Sequence, residues 1–364
     1  MPIRRHNAPF LLVAVLALLA GLWAGVVRLP WPLPPLRPTL PMAHGPLMIG
    51  GFLGALIGLE RAVGLTALDR RYRWTYAAPA AAGLGGLLLT AGVPGLPGPL
   101  LVSIGSAVLL VAMLAVVRLQ PLLHTRVMAL GAASWLVGNL LWLFGRGVPE
   151  VVLWWSGFLV LTIVGERLEL SRLLQLTPGR RLSFLAGVVL FVAGLALSVA
   201  ELVWGARLAG LGMVALAGWL LAYDIARRTV RKDGLTRYIA VALLVGYAWL
   251  GVAGLLGLRY GGATAGLPYD AWLHALLVGF VFSMIFAHAP IILPAVTGLA
   301  VPFHRRFYAP FALLQVSLLL RVVGDLATWM PGRRWGGLLN AIAILLFLAT
   351  LVMAVLSGRR SGRG

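Results

Sequence analysis

The feature that most constrains this chain is a series of long apolar stretches separated by short polar segments. About 20 apolar residues in an α-helix cross the roughly 30 Å hydrocarbon core of a bilayer. The sequence predicts twelve such helices, near residues 9–27, 43–65, 74–93, 97–117, 124–145, 150–171, 182–200, 203–226, 237–258, 271–296, 307–328 and 335–357. The loops are too short to hold a soluble domain. We therefore expect an all-α fold, a single polytopic transmembrane domain over residues 1–364.

The composition supports a membrane protein and excludes several other classes. Hydrophobic residues make up 61% of the chain and charged residues only 11%, far from the composition of a soluble domain. The chain has no cysteine, which excludes disulfides, thiolate metal sites and cysteine nucleophiles. The net charge of +20 comes from bases in short loops between apolar stretches, where they meet anionic lipid. We expect membrane lipid, and no nucleic acid, as a partner.

The distribution of basic residues predicts the orientation of the helices. If both termini are cytoplasmic, most arginines fall in segments that face the cytoplasm, as the positive-inside rule requires. One miscounted helix would scramble this alternation, so the pattern favours twelve spans with both termini cytoplasmic. Arginine far outnumbers lysine, and Lys232 is the single lysine, which is typical of a GC-rich prokaryote. We expect a multi-pass protein of a prokaryotic inner (plasma) membrane.

Two histidines occupy similar positions in two predicted helices. His44 lies at the outer end of predicted helix 2, and His274 lies near the outer end of predicted helix 10, after Asp270 and Trp272. Both helices run from outside to inside, which predicts imidazoles at matched depth. Because a neutral imidazole offers one nitrogen to iron, two opposed rings can be the axial ligands of one haem. The alternative is that each histidine only packs within the bundle.

Glycines recur along predicted helix 2 behind His44. Gly50, Gly54 and Gly58 are spaced by four residues, and Gly51 lies seven residues after His44, close to the same face of an α-helix. A stripe of this kind lets a flat macrocycle or a neighbouring helix approach the backbone. Both alternatives remain open at the level of sequence.

Charged residues lie in the outer half of predicted helix 11 and in the loop after it. Charges within a bilayer are costly and mark a cofactor, a path or a partner. Arg321, Arg333 and Arg334 are the outer bases best placed to bind the two propionates of a haem. The alternative for Arg321 is an ion pair with Asp325, four residues further along the same helix.

His288 is a further candidate ligand on predicted helix 10. It follows His274 by 14 residues, nearly four α-helical turns, which predicts the same face for both rings. It could ligate a metal or a second haem, or transfer protons. It could equally donate a hydrogen bond to a carbonyl that Pro290 or Pro294 releases from the helix.

Polar residues near the predicted inner ends of the helices have simpler explanations. Acidic and basic residues on helices 2 and 6 predict interhelical salt bridges, with a proton or substrate entry route as the alternative. These residues are Glu60, Arg61, Glu166, Arg167 and Glu169. Three histidines beside arginines are expected to face lipid headgroups: His6, His124 and His304.

The histidine-containing segments resemble a known family. HGPLMIGGFLGALIG in helix 2 is similar to the second helix of haem–copper oxidase subunit I and to the H-x-x-x-M-x-x-G-F pattern of NnrS membrane proteins, with Met48 and Gly51 in the corresponding places. HALLVGFVFSMIFAH in helix 10 resembles the NnrS segment of type HALTVGAIGTM. The resemblance implies haem b between helices 2 and 10, held by His44 and His274, with Met48 and Gly51 beside it.

The resemblance also implies a link to nitric oxide metabolism, with one clear departure. Haem–copper oxidases place copper-binding histidines on helices 6 and 7, and the corresponding predicted helices contain no histidine. We therefore do not expect a copper centre of the oxidase type. The cofactor implied is one haem b, with a second if His288 is also a ligand.

These features favour an NnrS-like membrane haem protein. It would act in electron transfer with a quinone or another donor, or in binding and detoxifying nitric oxide or another diatomic gas. Whether it is an oxidoreductase, and in which oligomeric state, the sequence does not indicate. The alternative is a haem-free twelve-helix transporter in which Arg321, Glu60 and Glu166 line a path.

Overall fold

The computed structural model describes residues 5–29, 31–171 and 176–361. Over these ranges it is all-helical and contains no β-strand, which confirms the predicted all-α fold. The main helices are α1 (Ala8–Val27), α2 (Leu40–Leu68), α3 (Ala77–Thr90), α4 (Pro97–Leu119), α5 (Leu123–Leu143), α6 (Val148–Ser171), α7 (Pro178–Leu197), α8 (Leu202–Tyr223), α9 (Gly234–Tyr260), α10 (Gly266–Thr297), α11 (Tyr308–Leu326) and α12 (Met330–Ser361).

Eleven helices in the described part of the chain are long and apolar enough to cross a membrane, so the protein is a multi-pass membrane protein. The exception is α3, which is shorter than the predicted helix at 74–93. Its 14 residues extend about 21 Å, because Arg70–Tyr76 form a 3-10 helix before it and Gly92 turns the chain after it with φ of +70°. The count of twelve spans stays a prediction.

Close glycine contacts show that α3 runs antiparallel to α2. A Cβ atom added to Gly86 would lie 2.8 Å from the Cα of Gly51, and one added to Gly58 would lie 3.2 Å from the backbone nitrogen of Pro79. The contacts therefore move towards the beginning of α3 as they move towards the end of α2. α3 also packs against α1 and α4, as a full member of the bundle.

The chain divides into two compact units: residues 1–158 with 295–298, and residues 159–294 with 299–364. In the first unit, aromatic side chains join α5 to α6. The ring of Trp135 stacks on Phe158, with 4.7 Å between ring centroids. The indole N–H of Trp155 donates to the side-chain oxygen of Asn139 over 2.9 Å, which satisfies two polar groups inside the bundle.

In the second unit, each helix from α7 to α12 packs against the next helix in the chain. Small residues allow these backbones to approach closely. Gly194 of α7 meets the backbone of Ala209 in α8, and Gly210 of α8 meets the carbonyl of Gly254 in α9. The second unit is therefore a meander of sequentially adjacent helices.

Two helices depart from regular α-geometry. Leu47–Gly54 in α2 and Ala275–Phe282 in α10 are π-helical. A π-helix bonds residue i to i+5, so each turn contains more residues than an α-helical turn. The predicted alignment of His274 with His288 assumed uninterrupted α-helix between them. The π-helical segment lies in that interval, so the 14-residue spacing no longer places both rings on one face.

Gly86→Ala is expected to destabilise the first unit by about 1–3 kcal/mol, because the added methyl group would overlap the backbone of Gly51. The measurement is the unfolding temperature of the detergent-solubilised protein. Gly64→Ala is the matched control, since Gly64 of α2 is exposed and an added Cβ would have no atom within 4 Å. Equal unfolding temperatures for the two variants would contradict the close α2–α3 contact.

Candidate functional site

His44 is held at the beginning of α2 by the backbone of α1. Its Nδ1 lies 2.7 Å from the carbonyl oxygen of Gly21. A Cβ atom at Gly25 would lie 2.8 Å from Cε1 of the imidazole, so the ring rests against the α1 backbone at a position that only glycine leaves open. Because a carbonyl oxygen can only accept a hydrogen bond, Nδ1 is the donor, and the neutral imidazole then carries its lone pair on Nε2.

His274 is held in a similar way within α10. Its Nδ1 lies 2.8 Å from the carbonyl oxygen of Asp270, one turn earlier. The carboxylate of Asp270 also lies 3.5 Å from the same nitrogen. The hydrogen bond again makes Nδ1 the donor, which in the neutral imidazole leaves the lone pair on Nε2. Metal-binding histidines commonly donate their other ring nitrogen to a carbonyl or a carboxylate in this manner.

Both histidines stand directly before, or within three residues of, a π-helical segment. His44 precedes Leu47–Gly54, and His274 precedes Ala275–Phe282; each segment is eight residues long. π-Helical turns are rare and occur frequently at functional sites. Sequence reasoning selected these two histidines, but nothing in the residue pattern predicted the π-helical segments.

Asp270 organises a charged cluster in the second unit. The guanidinium of Arg321 in α11 donates two hydrogen bonds to its carboxylate, over 2.9 and 3.0 Å. Arg333 of α12 lies 3.8 Å from the same carboxylate and 2.9 Å from the carboxylate of Asp325, which is completely buried. The cluster therefore joins α10, α11 and α12 and includes the carboxylate beside His274.

The cluster changes the predicted roles of the arginines. The same-helix pair of Arg321 with Asp325 is wrong: Arg321 binds Asp270, and Asp325 pairs with Arg333. A propionate would therefore compete with Asp270 for the guanidinium of Arg321. Arg334 follows Arg333 at the beginning of α12 and is half-buried. Sequence reasoning named Asp270 only as a boundary marker, although its position four residues before His274 was a usable signal.

Met48 and Gly51 are engaged in helix packing. The sulfur of Met48 would be 2.7 Å from a Cβ atom on Gly21, so its side chain lies on the α1 backbone. Gly51 lies against Ala17 of α1 and Gly86 of α3. At Gly51, the glycine stripe therefore allows neighbouring helices to approach closely, which is one of its two predicted roles.

His288 lies in the last part of α10, apart from the charged cluster around Asp270. Its Nδ1 donates to the carbonyl of Met284 over 2.8 Å. This carbonyl lies one turn back and is not one of those that Pro290 and Pro294 deprive of a backbone donor, namely those of residues 286 and 290. His288 therefore shares the Nδ1–carbonyl bond of the other two histidines.

A second buried ion pair lies at the other end of the second unit. Arg167 of α6 donates two hydrogen bonds, over 2.8 and 3.0 Å, to the carboxylate of Asp224 just after α8. The two side chains are 3% and 0% exposed. An interhelical salt bridge was predicted for Arg167, and it exists, but with an acidic residue that the sequence reasoning did not single out.

The remaining histidines differ from one another. His6 and His304 are exposed. His124 is only 2% exposed, so the prediction that it faces lipid headgroups is wrong for this residue. Within the described residues there is no group of three or more histidines, aspartates or glutamates arranged to hold a metal ion. A haem iron takes four ligands from its porphyrin and needs only axial ligands from the protein.

A family model described as "Domain of unknown function (DUF8744)" matches residues 7–356. The chain belongs to the DUF8744 family. The match extends over all twelve helices and includes His44, His274 and the cluster around Asp270. No curated protein matches the chain significantly. The description of DUF8744 names no activity, ligand or partner.

Asp224→Asn is expected to lower the free energy of unfolding by about 3–5 kcal/mol, because it removes the carboxylate charge that accepts two hydrogen bonds from the buried guanidinium of Arg167. The measurement is thermal unfolding in detergent. Glu150→Gln is the control: it removes one partner of the exposed Arg146–Glu150 pair, for which a change below about 1 kcal/mol is expected. Similar shifts in both variants would contradict a special role for the buried pair.

Proposed function

We propose that this DUF8744 protein is an NnrS-like membrane haem protein that binds haem b through His44 and His274. When bound, haem b supplies one-electron transfer if both imidazoles are ligands, and a position for nitric oxide or another diatomic gas if one is absent. The resemblance of the two histidine segments to NnrS proteins supports this proposal.

The observation that carries the proposal is that the two imidazoles have the same hydrogen bonding and the same position relative to a π-helical segment. Each Nδ1 donates to a backbone carbonyl, over 2.7 Å in His44 and 2.8 Å in His274. This fixes the tautomer in which Nε2 is the nucleophilic nitrogen, as a metal ligand requires. Each ring also lies at the beginning of an eight-residue π-helical segment. His288 makes the same Nδ1–carbonyl bond, so the π-helical segment that follows is what sets His44 and His274 apart from it.

The surroundings of His274 can tune the basicity of its imidazole. A carboxylate near the proton-bearing nitrogen raises the basicity of an imidazole ligand. Asp270 stands in this position, and its two hydrogen bonds from Arg321 hold its carboxylate in place. His44 has a neutral carbonyl in the equivalent position. The two proposed ligands would therefore differ in donor strength, with His274 the stronger.

Arg333 and Arg334 are the proposed partners of ligand carboxylates. Arg321 already donates two hydrogen bonds to Asp270, so it would orient Asp270 more than it would bind a propionate. Arg333 is about one-fifth exposed and pairs with Asp325 over 2.9 Å and with Asp270 over 3.8 Å, so a propionate would share its guanidinium with these carboxylates. Guanidinium groups suit carboxylates because their N–H groups match the two oxygens.

A haem-free transporter is the second candidate, and the charged cluster is the observation that favours it. Asp270, Asp325, Arg321 and Arg333 lie together within or beside helices long enough to cross the membrane. Ionisable residues in such positions often line a proton or ion path. This candidate predicts a colourless protein, whereas the haem proposal predicts a red one.

We further propose twelve spans with both termini cytoplasmic, in a prokaryotic inner membrane. The support is the alternation of basic segments together with the packing of α3. α3 contacts α2 and α4 in the antiparallel sense expected of a crossing helix: Gly51 lies against Gly86, and Ala78 lies against Gly105. Its flanking 3-10 helix adds length at the end rich in arginine.

Protein purified from haem-sufficient cells is expected to be red, with a reduced-minus-oxidised spectrum of haem b. His44→Ala and His274→Ala should each shift or abolish the spectrum, because each removes one axial ligand. His304→Ala is the control, since His304 is exposed and lies outside the long helices. Carbon monoxide added to the reduced wild type distinguishes the two roles: a spectral shift indicates an open position, and its absence indicates two imidazole ligands.

A colourless preparation would reject haem binding and favour the transporter. Unchanged spectra in both histidine variants would reject the assigned ligands, and His288→Ala would then be the next variant to measure. Asp270→Asn should lower the basicity of His274 and raise the reduction potential of a red protein. An unchanged potential would contradict the proposed tuning.

The absence of native cysteines makes the topology directly testable. Leu68→Cys and Leu96→Cys lie at opposite ends of the α3 region, and both side chains are exposed, at 72% and 61%. If α3 crosses the bilayer, a membrane-impermeant maleimide should label Leu96→Cys in intact spheroplasts and Leu68→Cys only after lysis. Labelling of both from the same side would reduce the count to eleven spans.

A further inference from the structure

A basic pocket lies at one end of the second unit, away from His274. Its volume is about 620 Å³, and it is lined by five cationic side chains, Arg180, Arg227, Arg228, Arg231 and Lys232, with Tyr223 beside them. It lies where α7 begins and α8 ends, at the edge of the membrane-spanning region. Its size is that of a typical small-molecule site.

The acidic residue in the lining does not neutralise this charge. Asp224 is only 2% exposed. Its carboxylate accepts two hydrogen bonds from Arg167 and one from the backbone N–H of Ala226, over 2.7 Å. The charge of Asp224 is therefore balanced inside the protein. The five cations face one another in the pocket with mutual repulsion, which an anion would relieve.

The pocket is shaped before any ligand arrives. The guanidinium of Arg180 lies over the ring of Tyr223, 5.0 Å from its centroid. The backbone carbonyl of Arg180 accepts a hydrogen bond from the indole of Trp219, over 2.7 Å, and Trp219 packs against Phe184. Arg227 donates to the carbonyl of Ala222. Two of the five cations are therefore oriented by the protein.

The chain between α8 and α9 brings the other cations together. Ala226–Thr229 form a short helix, and backbone hydrogen bonds from Arg231 to Arg228 and from Lys232 to Thr229 continue the turn. Residues one turn apart lie side by side on such a turn. The backbone therefore gathers Arg227, Arg228, Arg231 and Lys232, which an extended loop would spread.

We propose that this pocket binds an anion that carries two phosphate groups. Guanidinium groups bind phosphate oxygens in pairs, and five cations exceed what a single phosphate needs. Leu182 and Leu221 lie two residues after Arg180 and one residue before Ala222 in sequence, and their side chains are exposed, at 68% and 39%. They offer a surface for acyl chains, which favours a lipid whose headgroup carries two phosphates over a soluble diphosphate.

The test compares two double variants of the full chain in detergent. Arg227→Gln/Arg228→Gln removes two charges from the pocket. Arg70→Gln/Arg73→Gln removes two charges from exposed arginines in another basic segment, outside the pocket. The probes are cardiolipin, phosphatidylglycerol and inorganic pyrophosphate, and the readout is the dissociation constant from the ligand-dependent rise in unfolding temperature.

Cardiolipin is expected to bind wild type more tightly than phosphatidylglycerol, and the pocket variant should bind it about tenfold or more weakly. The control variant should bind like wild type. Binding of cardiolipin alone identifies a lipid as the source of the phosphates, whereas equal binding of pyrophosphate identifies a soluble ligand; both outcomes support the site. Binding of no probe, or equal losses in both double variants, would overturn it. If Arg227→Gln/Arg228→Gln unfolds, Arg231→Gln/Lys232→Gln provides the same comparison.

Discussion

The interaction on which much of this structure depends is the pairing of charges taken out of water. An unpaired guanidinium or carboxylate inside a membrane bundle is costly, so each one fixes the position of a partner helix. Arg167 with Asp224, and Arg321 with Asp270, are both bidentate and both largely buried. The first pair joins α6 to the end of α8, and the second joins α10 to α11. Each pair lies beside a proposed site.

At one end of the second unit, the ion pair supports the candidate haem ligand. Arg321 holds the carboxylate of Asp270, and Asp270 holds Nδ1 of His274 through its carbonyl oxygen. At the other end, Arg167 pairs with Asp224 and balances its negative charge. The other charged side chains that line the pocket are cations. A buried ion pair of the same kind therefore lies beside the proposed haem ligand and beside the proposed phosphate pocket.

Sequence reasoning found the fold class because apolar length is a local property. About 20 apolar residues specify a helix in lipid, and eleven of the twelve predicted helices have the length to span a membrane in the described residues. It failed on the length of α3 because a 3-10 segment replaces its first turns. It failed on His124 because burial depends on neighbouring helices, which a single stretch of sequence does not reveal.

The sequence by itself determined an all-helical membrane protein, its candidate haem ligands His44 and His274, and the arginines in its loops. Those properties follow from residue type and spacing along one helix. The tertiary structure decided the ion-pair partners, the placement of Gly51 between α1 and α3, and the tautomers of the histidines. Except for His274, whose Nδ1 partner lies on its own helix, these depend on which backbone or side-chain atoms another helix brings within about 3 Å, the distance at which hydrogen bonds form.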